Sequence, residues 1–249
     1  LKYKGNRKKD DSIDFTSIFK VFDSFLKGLA ISSGIKFKSI PGCEGDDIIF
    51  VHSSYLNSLG KSTIIYSGDG DLKQCVGFDK SKNTFTILYQ KQNRKLWIDL
   101  ETGHYLKKHQ SEYYVDCIRS VANNTSSKLS VISPFEIVID KILGGDKSDN
   151  INSVLVESRQ YGEKAKKAGQ WYDVGVSETV IKHVRKEIEL NNYSVEDLFR
   201  SDFKRKLASS TLRNFKTQNK YELSDIENNV DVNLHLVLLH KNTIPSDLY

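Results

Sequence analysis

Apolar residues recur every three to four positions across residues 12–31, at Ile13, Phe15, Ile18, Phe19, Phe22, Phe25, Leu26 and Leu29, a spacing that predicts an amphipathic helix. Gly34–Ile40 reads as a short strand-like piece, and Pro41-Gly42 breaks the chain. From Glu44 the helical spacing returns at Ile48, Val51, Tyr55 and Leu59 and ends at Gly60. Thr63–Tyr66 is a short buried strand bounded by Gly68. Thr84–Tyr89 and Lys95–Ile98 flank the polar KQNR and predict a hairpin. Residues 103–132 are polar, without a readable period, and have the character of an insertion. Pro134 opens a helix through Leu143, stopped by Gly144-Gly145. Beyond residue 150 the pattern is one of charged helices without repeats. Helix alternating with strand predicts an α/β sheet in the N-terminal part, followed by an all-helical C-terminal region.

Composition narrows the classes. The 249 residues are 38% hydrophobic, and no run approaches the ~18 apolar residues of a membrane span. The longest, IIFV at 48–51 and LVLL at 236–239, are core-sized, so no membrane partner is expected. Cys43, Cys75 and Cys117 form no CxxC pair, which fits reduced thiols in a cytoplasmic protein. The six histidines carry no zinc spacing. Net charge is +5, a mild excess compatible with a polyanion partner. Its distribution is more telling. Basic residues crowd the beginning (Lys2, Lys4, Arg7, Lys8, Lys9) and recur as KAKK at 164–167, KHVRK at 182–186 and FKRK at 203–206. The chain opens on Leu1 and holds no methionine, so it is expected to be a piece of a longer chain.

Much of the acidic charge lies in three clusters at element boundaries: EGDD at Glu44–Asp47, SGDGD at 67–71, and GGDKSDN at Gly144–Asn150. Glu44 and Asp47, three apart at a helix start, share roughly one face, and Asp146 and Asp149 follow a helix stop with the same spacing. Asp69 and Asp71 follow a strand with period two, and point the same way if the backbone stays extended. Each cluster alone has an ordinary reading as a helix cap, a turn or a loop. Together they describe carboxylates gathered where the strands of an α/β sheet end, which is where its crevice lies. Carboxylates within ~4–6 Å of one another repel unless a cation or proton intervenes. Hard oxygen ligands suit Mg²⁺, with Mn²⁺ as substitute, and a pair of such ions is suited to phosphodiester hydrolysis.

EGDD, SGDGD with Leu72 and Gln74, and ILGGDKSDN resemble the motifs of the 5′→3′ exonuclease and flap endonuclease family. The pattern is closest to the T-even phage ribonuclease H type, and YKGNR (Tyr3 to Arg7) is similar to the basic foot of that family's helical arch. The resemblance implies a PIN-like nuclease domain over residues 1–150, with the arch at about 1–40, and a DNA-binding region over 151–249. It implies metal ligation by Glu44, Asp46, Asp47, Asp69, Asp71, Asp146 and Asp149, with two Mg²⁺ expected. Asp46 rests on the family pattern alone. Lys4 and Arg7 would act on the scissile phosphate, and Tyr3 would stack on a base. The expected substrate is a DNA flap or an RNA–DNA hybrid with a 5′ single strand, cut during replication beside other replication proteins. The setting would be a bacterial host cytoplasm if the chain is phage-encoded.

Two departures from the pattern shape further expectations. Ile151–Leu155 lacks the glycine-rich helix–hairpin–helix, so that motif is degenerate here. Duplex binding would then rest on Lys164, Lys166, Lys167, Lys182, Arg185 and Lys186 through phosphate electrostatics, or those residues form a solvated helix face. The family's first strand and two upstream aspartates have no counterpart, so the domain is expected to be incomplete at its N-terminus, and the chain incomplete at its C-terminus too. Two rival readings stand beside the nuclease: a single-strand ribonuclease with a related acidic crevice, and a structure-specific DNA-binding protein without catalysis. Against the latter, clustered carboxylates facing phosphates gain a mere binder nothing.

Overall fold

The computed structural model describes residues 12–41, 43–92, 94–109, 128–161, 167, 169–215 and 221–241. It is α/β, with a mixed sheet flanked by helices. Helix α1 (Phe15–Ser33) starts where the Asp14 carboxylate accepts the Ser17 amide at 3.1 Å and stops at Gly34 in the left-handed region. Its apolar stripe is as the periodicity predicts, yet none of its residues is buried. Gly34–Ile40, expected as strand-like, enters no regular element. Helix α2 (Gly45–Ser58) and strand β1 (Thr63–Tyr66) follow the expected bounds closely. After a 3₁₀ turn at Asp71–Cys75 come β2 (Gly77–Asp79), β3 (Thr84–Gln90) and β4 (Lys95–Ile98).

Strand β3 is the axis of the sheet. It pairs in parallel with β1 and antiparallel with both β2 and β4. The stretch read as an insertion contributes helix α3 (Leu100–Lys108) and strand β5 (Lys128–Val131), which pairs in parallel with β4. Every residue of β3 is buried, because alternate side chains enter different cores. Phe85, Ile87 and Tyr89 pack with Leu96, Ile98 and Leu106 on the α3 side. Leu88 joins Ile65, Leu72 and Val76 on the other side, with Ile49 of α2 and Trp97 against them. The buried Thr86 hydroxyl is satisfied by Asn57 at 2.7 Å and Thr63 at 2.8 Å.

Helix α4 (Pro134–Gly144) begins with proline at its first turn and the Ser133 hydroxyl accepting the Glu136 amide. Its inner face, Val138, Ile139, Ile142 and Leu143, enters the largest core. That core also takes α5 (Glu178–Glu187), α6 (Ser201–Phe215) and α7 (Leu223–Val237). The all-helical expectation for residues beyond 150 needs correction here. Val156–Gln160 (β6) and Trp171–Gly175 (β7) form an antiparallel pair. Val156 is followed by the polar run Glu157–Gln160, and Trp171 and Val174 stand three apart, so neither strand shows an apolar alternation to separate it from a helix surface. Among the described residues, no helix is long and apolar enough to cross a membrane.

The turn after α4 is tightly constrained. Gly145 has φ +74° and ψ −177°, a region that essentially only glycine occupies. A Cβ there would lie 2.5 Å from backbone atoms of Ile151 and Asn152. Gly145→Ala should therefore cost about 1–3 kcal/mol or more, since both strain and collision apply. Urea unfolding of the variant beside the wild type measures it, and an unchanged midpoint contradicts the account.

Candidate metal centre

The cleft lies at the carboxyl end of β1, where the parallel arrangement with β3 leaves a crevice. It has a volume of about 610 Å³ and is lined from three segments distant in sequence. Six of the seven carboxylates singled out from sequence face it: Glu44, Asp46, Asp69, Asp71, Asp146 and Asp149. One oxygen from each of Asp71, Asp146 and Asp149 lies within 4.8 Å of the others, so this trio can hold a metal ion.

Asp47 does not line the cleft. Its carboxylate accepts the Glu44 amide at 3.2 Å, the cap reading of a helix start. Asp46 accepts the Asp47 amide at 3.0 Å. Burial raises its pKa above the ordinary carboxylate value, and the charges of Asp47 and Glu44 push the same way. The extended backbone that would aim Asp69 and Asp71 together is not maintained. Asp69 folds back to accept the Asp71 amide at 2.9 Å, and Asp71 opens the 3₁₀ turn. The glycine between them, Gly70, has ordinary right-handed helical backbone and open space around it, so the turn does not require it. The turn delivers Asp71 to the cleft floor, while Asp69 stands exposed at its mouth.

Asp146 and Asp149 sit on a closed loop. Asp146 and Ile151 exchange two backbone bonds at 2.9 and 2.8 Å, and Ser148 donates to Asp146 through its amide at 2.9 Å and its hydroxyl at 2.5 Å. Buried Asn233 on α7 donates to the carbonyls of Ile142 and Asn152, both at 2.8 Å, fixing the loop from behind.

Lys141, which sequence reasoning missed, is central to the charge balance. Its ammonium bridges Asp71 and Asp146, at 2.6 Å from the latter. Two carboxylates ~4 Å apart repel by about 4 kcal/mol at an effective dielectric of 20. The ammonium relieves this from a position only 20% exposed. Burial depresses the lysine pKa, but the bonds to Asp146 and Asp71 outweigh it and the net shift is upward. Burial acts against ionised Asp146 as well, yet the bonds from Lys141 and Ser148 bring its pKa down to about 2. The one hint in sequence is a lysine in the last turn of a helix, ordinarily a dipole partner.

Thiol chemistry is not what the cleft offers. Burial, with Asp46 and Asp69 nearby, pushes the Cys75 thiol up to about 12, so thiolate is scarce at neutral pH. Of the proposed nucleic-acid contacts, Lys182 pairs with Glu178 at 2.7 Å, and Arg185 ties α5 to Glu136 and Asp140 of α4. Lys167 and Lys186 are exposed. Tyr3, Lys4, Arg7, Lys164 and Lys166 lie outside the described residues. No protein-family model matches the chain, and no curated protein matches it either.

The depressed pKa of Asp146 has a consequence for stability. A carboxylate whose folded pKa lies below its unfolded value contributes above the unfolded value and loses that contribution as pH falls through the folded one. In EDTA, wild type should exceed Asp146→Asn in stability at pH 7, and the gap should close between about pH 4 and pH 2. Urea unfolding of both proteins across this range measures the gap. A gap independent of pH would separate Asp146 from the charge balance described.

Proposed function

We propose that the chain is a metal-dependent phosphodiester hydrolase of the 5′-nuclease type, with a PIN-like sheet and α1 as part of an arch. The observation that carries this reading is the convergence of six carboxylates from three separate segments on one cleft at a strand end. A binding module has no use for such a concentration of negative charge facing phosphates. Asp71, Asp146 and Asp149 would hold one Mg²⁺, and Glu44, Asp46 and Asp69 supply oxygens for a second. Bound there, divalent ions supply Lewis acidity toward the attacking water and the departing 3′ oxygen of the phosphodiester.

The chain's own residues do the rest. The closed loop at 146–151 keeps two carboxylates at fixed separation. Lys141 neutralises Asp71 and Asp146 when no substrate or metal is present, which keeps the cleft from swelling by repulsion. Lys4 and Arg7 are proposed to balance phosphate charge, and Tyr3 to stack on a base beside the cut. The substrate class that fits is a flap or hybrid with a 5′ single strand, met during replication.

Deleting residues 150–249, which a single-strand ribonuclease would not need for cleavage, is not a clean discriminator. Gln74, one turn from Asp71, donates to the Val237 carbonyl at 2.9 Å and accepts the Leu239 amide at 3.2 Å, so residues beyond 150 brace the site itself.

Direct tests use the whole chain. Mn²⁺ binding, followed by the loss of the free-ion electron-spin resonance signal, should saturate in the wild type and weaken strongly in Asp71→Asn with Asp149→Asn. Cleavage of 5′-flap, RNA–DNA hybrid and single-stranded substrates should require Mg²⁺ or Mn²⁺. It should fall by more than about 100-fold in the double variant, because even outer-shell changes at metal sites cost 10–100-fold. Wild-type cleavage that persists in EDTA, or a double variant as active as wild type, defeats the proposal.

A further inference from the structure

A second charged feature adjoins the acidic cleft. Lys73, on the 3₁₀ turn, lines the cleft, and Lys95 reaches over from β4. Their ammonium groups lie 4.3 and 4.9 Å from the centroid of the same Trp97 ring. The indole is fixed in place: its Nε1 donates to Gln90 at 2.6 Å, and the Gln90 amide donates to the carbonyls of Gly68 and Asp69, both at 3.1 Å. Trp97 is therefore wired to the loop that carries the cleft's own carboxylates. Lys91 and Arg94 stand exposed on the adjoining turn.

The charge on this rim is left unbalanced. Lys141 and Arg185 are each held by two carboxylates. Among the described residues, Lys73, Lys91, Arg94 and Lys95 take part in no ion pair, even with six carboxylates in the neighbouring cleft. A cation–π contact stabilises an ammonium by about 0.5–1 kcal/mol at an exposed site, but it neutralises nothing. Two like charges drawn to one ring are poised to exchange the ring for an anion.

We propose that Lys73, Trp97 and Lys95 form a single-stranded nucleic-acid site on the rim of the cleft, the lysines taking backbone phosphates and the indole a base. The alternation of cation and aromatic ring is what a single strand offers in reverse, phosphate beside an unstacked base. A duplex hides its base faces, and a small free anion would feel the acidic cleft without gaining the ring. This assignment rests on the nuclease reading for its orientation, since a strand held here passes directly into the cleft beside Asp71.

The test is made in EDTA, so that binding is read without hydrolysis. The chain has two tryptophans, and Trp171→Phe leaves Trp97 as the sole one, read with excitation at the red edge where tyrosine does not absorb. Titration with a twelve-residue oligothymidylate should quench Trp97 emission saturably. Lys73→Gln with Lys95→Gln should weaken binding about 10-fold or more and reduce the slope of log affinity against log salt by about 1.4, two single-strand phosphate contacts at roughly 0.7 each. Lys61→Gln with Lys241→Gln should change neither. Mn²⁺ binding no weaker than in the wild type, with an unchanged urea midpoint, shows that the fold and the cleft survive in the rim variant. Absence of quenching, or an unchanged slope in the rim variant, overturns the proposal. Equal quenching by a blunt duplex or by inorganic phosphate overturns the single-strand assignment. Oligonucleotide binding as expected, with no divalent-dependent cleavage in the separate assay, upholds the rim site and sinks the nuclease reading alone.

Discussion

The salt-bridged position of Lys141 between Asp71 and Asp146 is the constraint on which the site depends. It joins the turn after β1 to the loop after α4, two segments separated by some seventy residues. Without a cation at that point, three carboxylates within 4.8 Å would push their loops apart. With one, the same geometry is a preformed cage of hard oxygen donors. Lys141 can occupy it because α4 has two distinct faces: Val138, Ile139 and Ile142 are in the core, while Lys141 turns toward the cleft. Packing fixes the helix, and the helix fixes the charge.

Residues beyond 150 are tied into this arrangement through amides as well as through charge. Asn233 spans the end of α4 and the loop that follows it, and Gln74, on the turn that carries Asp71, clasps the backbone at the end of α7. A buried amide that loses one such partner costs about 1–3 kcal/mol, so these contacts hold position strictly. The basic residues of the same region are partly spent on structure. Arg185 in particular links α5 to α4, and its guanidinium is only 22% exposed.

The helices, and the strands of the first hundred residues, were legible wherever a period and a stop signal coincided. Pro134 and Gly145 bracket α4, and the hairpin at Thr84–Ile98 shows in its β-branched and aromatic runs. The strand expected at Gly34–Ile40 failed because a strand needs a neighbour, and sequence pattern says nothing about pairing. The hairpin of β6 and β7 was missed because exposed strands carry no apolar alternation. Among the site residues, the carboxylates were visible as clusters. Which of them converge was decided by backbone details: the fold-back of Asp69 onto the Asp71 amide, and Asp47 acting as a cap. Gln90 and Asn233 had no local signal, Gln74 showed only as part of the SGDGD pattern and Lys141 only as a lysine in a helix's last turn, because each acts across the fold on a backbone group or charge brought near only by packing.

Acid and base are segregated within one wall of the cleft, and the hairpin geometry explains how. Strand β3 ends at Gln90 beside the SGDGD loop, so the turn to β4 carries Lys91, Arg94 and Lys95 to the same end of the sheet as Asp69 and Asp71. Left to Coulomb attraction alone, long lysine side chains at this distance would fold inward and quench the carboxylates, as Lys141 does. Trp97 opposes that. Its ring gives Lys73 and Lys95 a resting place outside the carboxylate cluster, and Gln90 prevents the ring from turning away. The indole thus keeps opposite charges apart at short range, leaving the carboxylates accessible to cations and the lysines accessible to phosphates along one continuous surface.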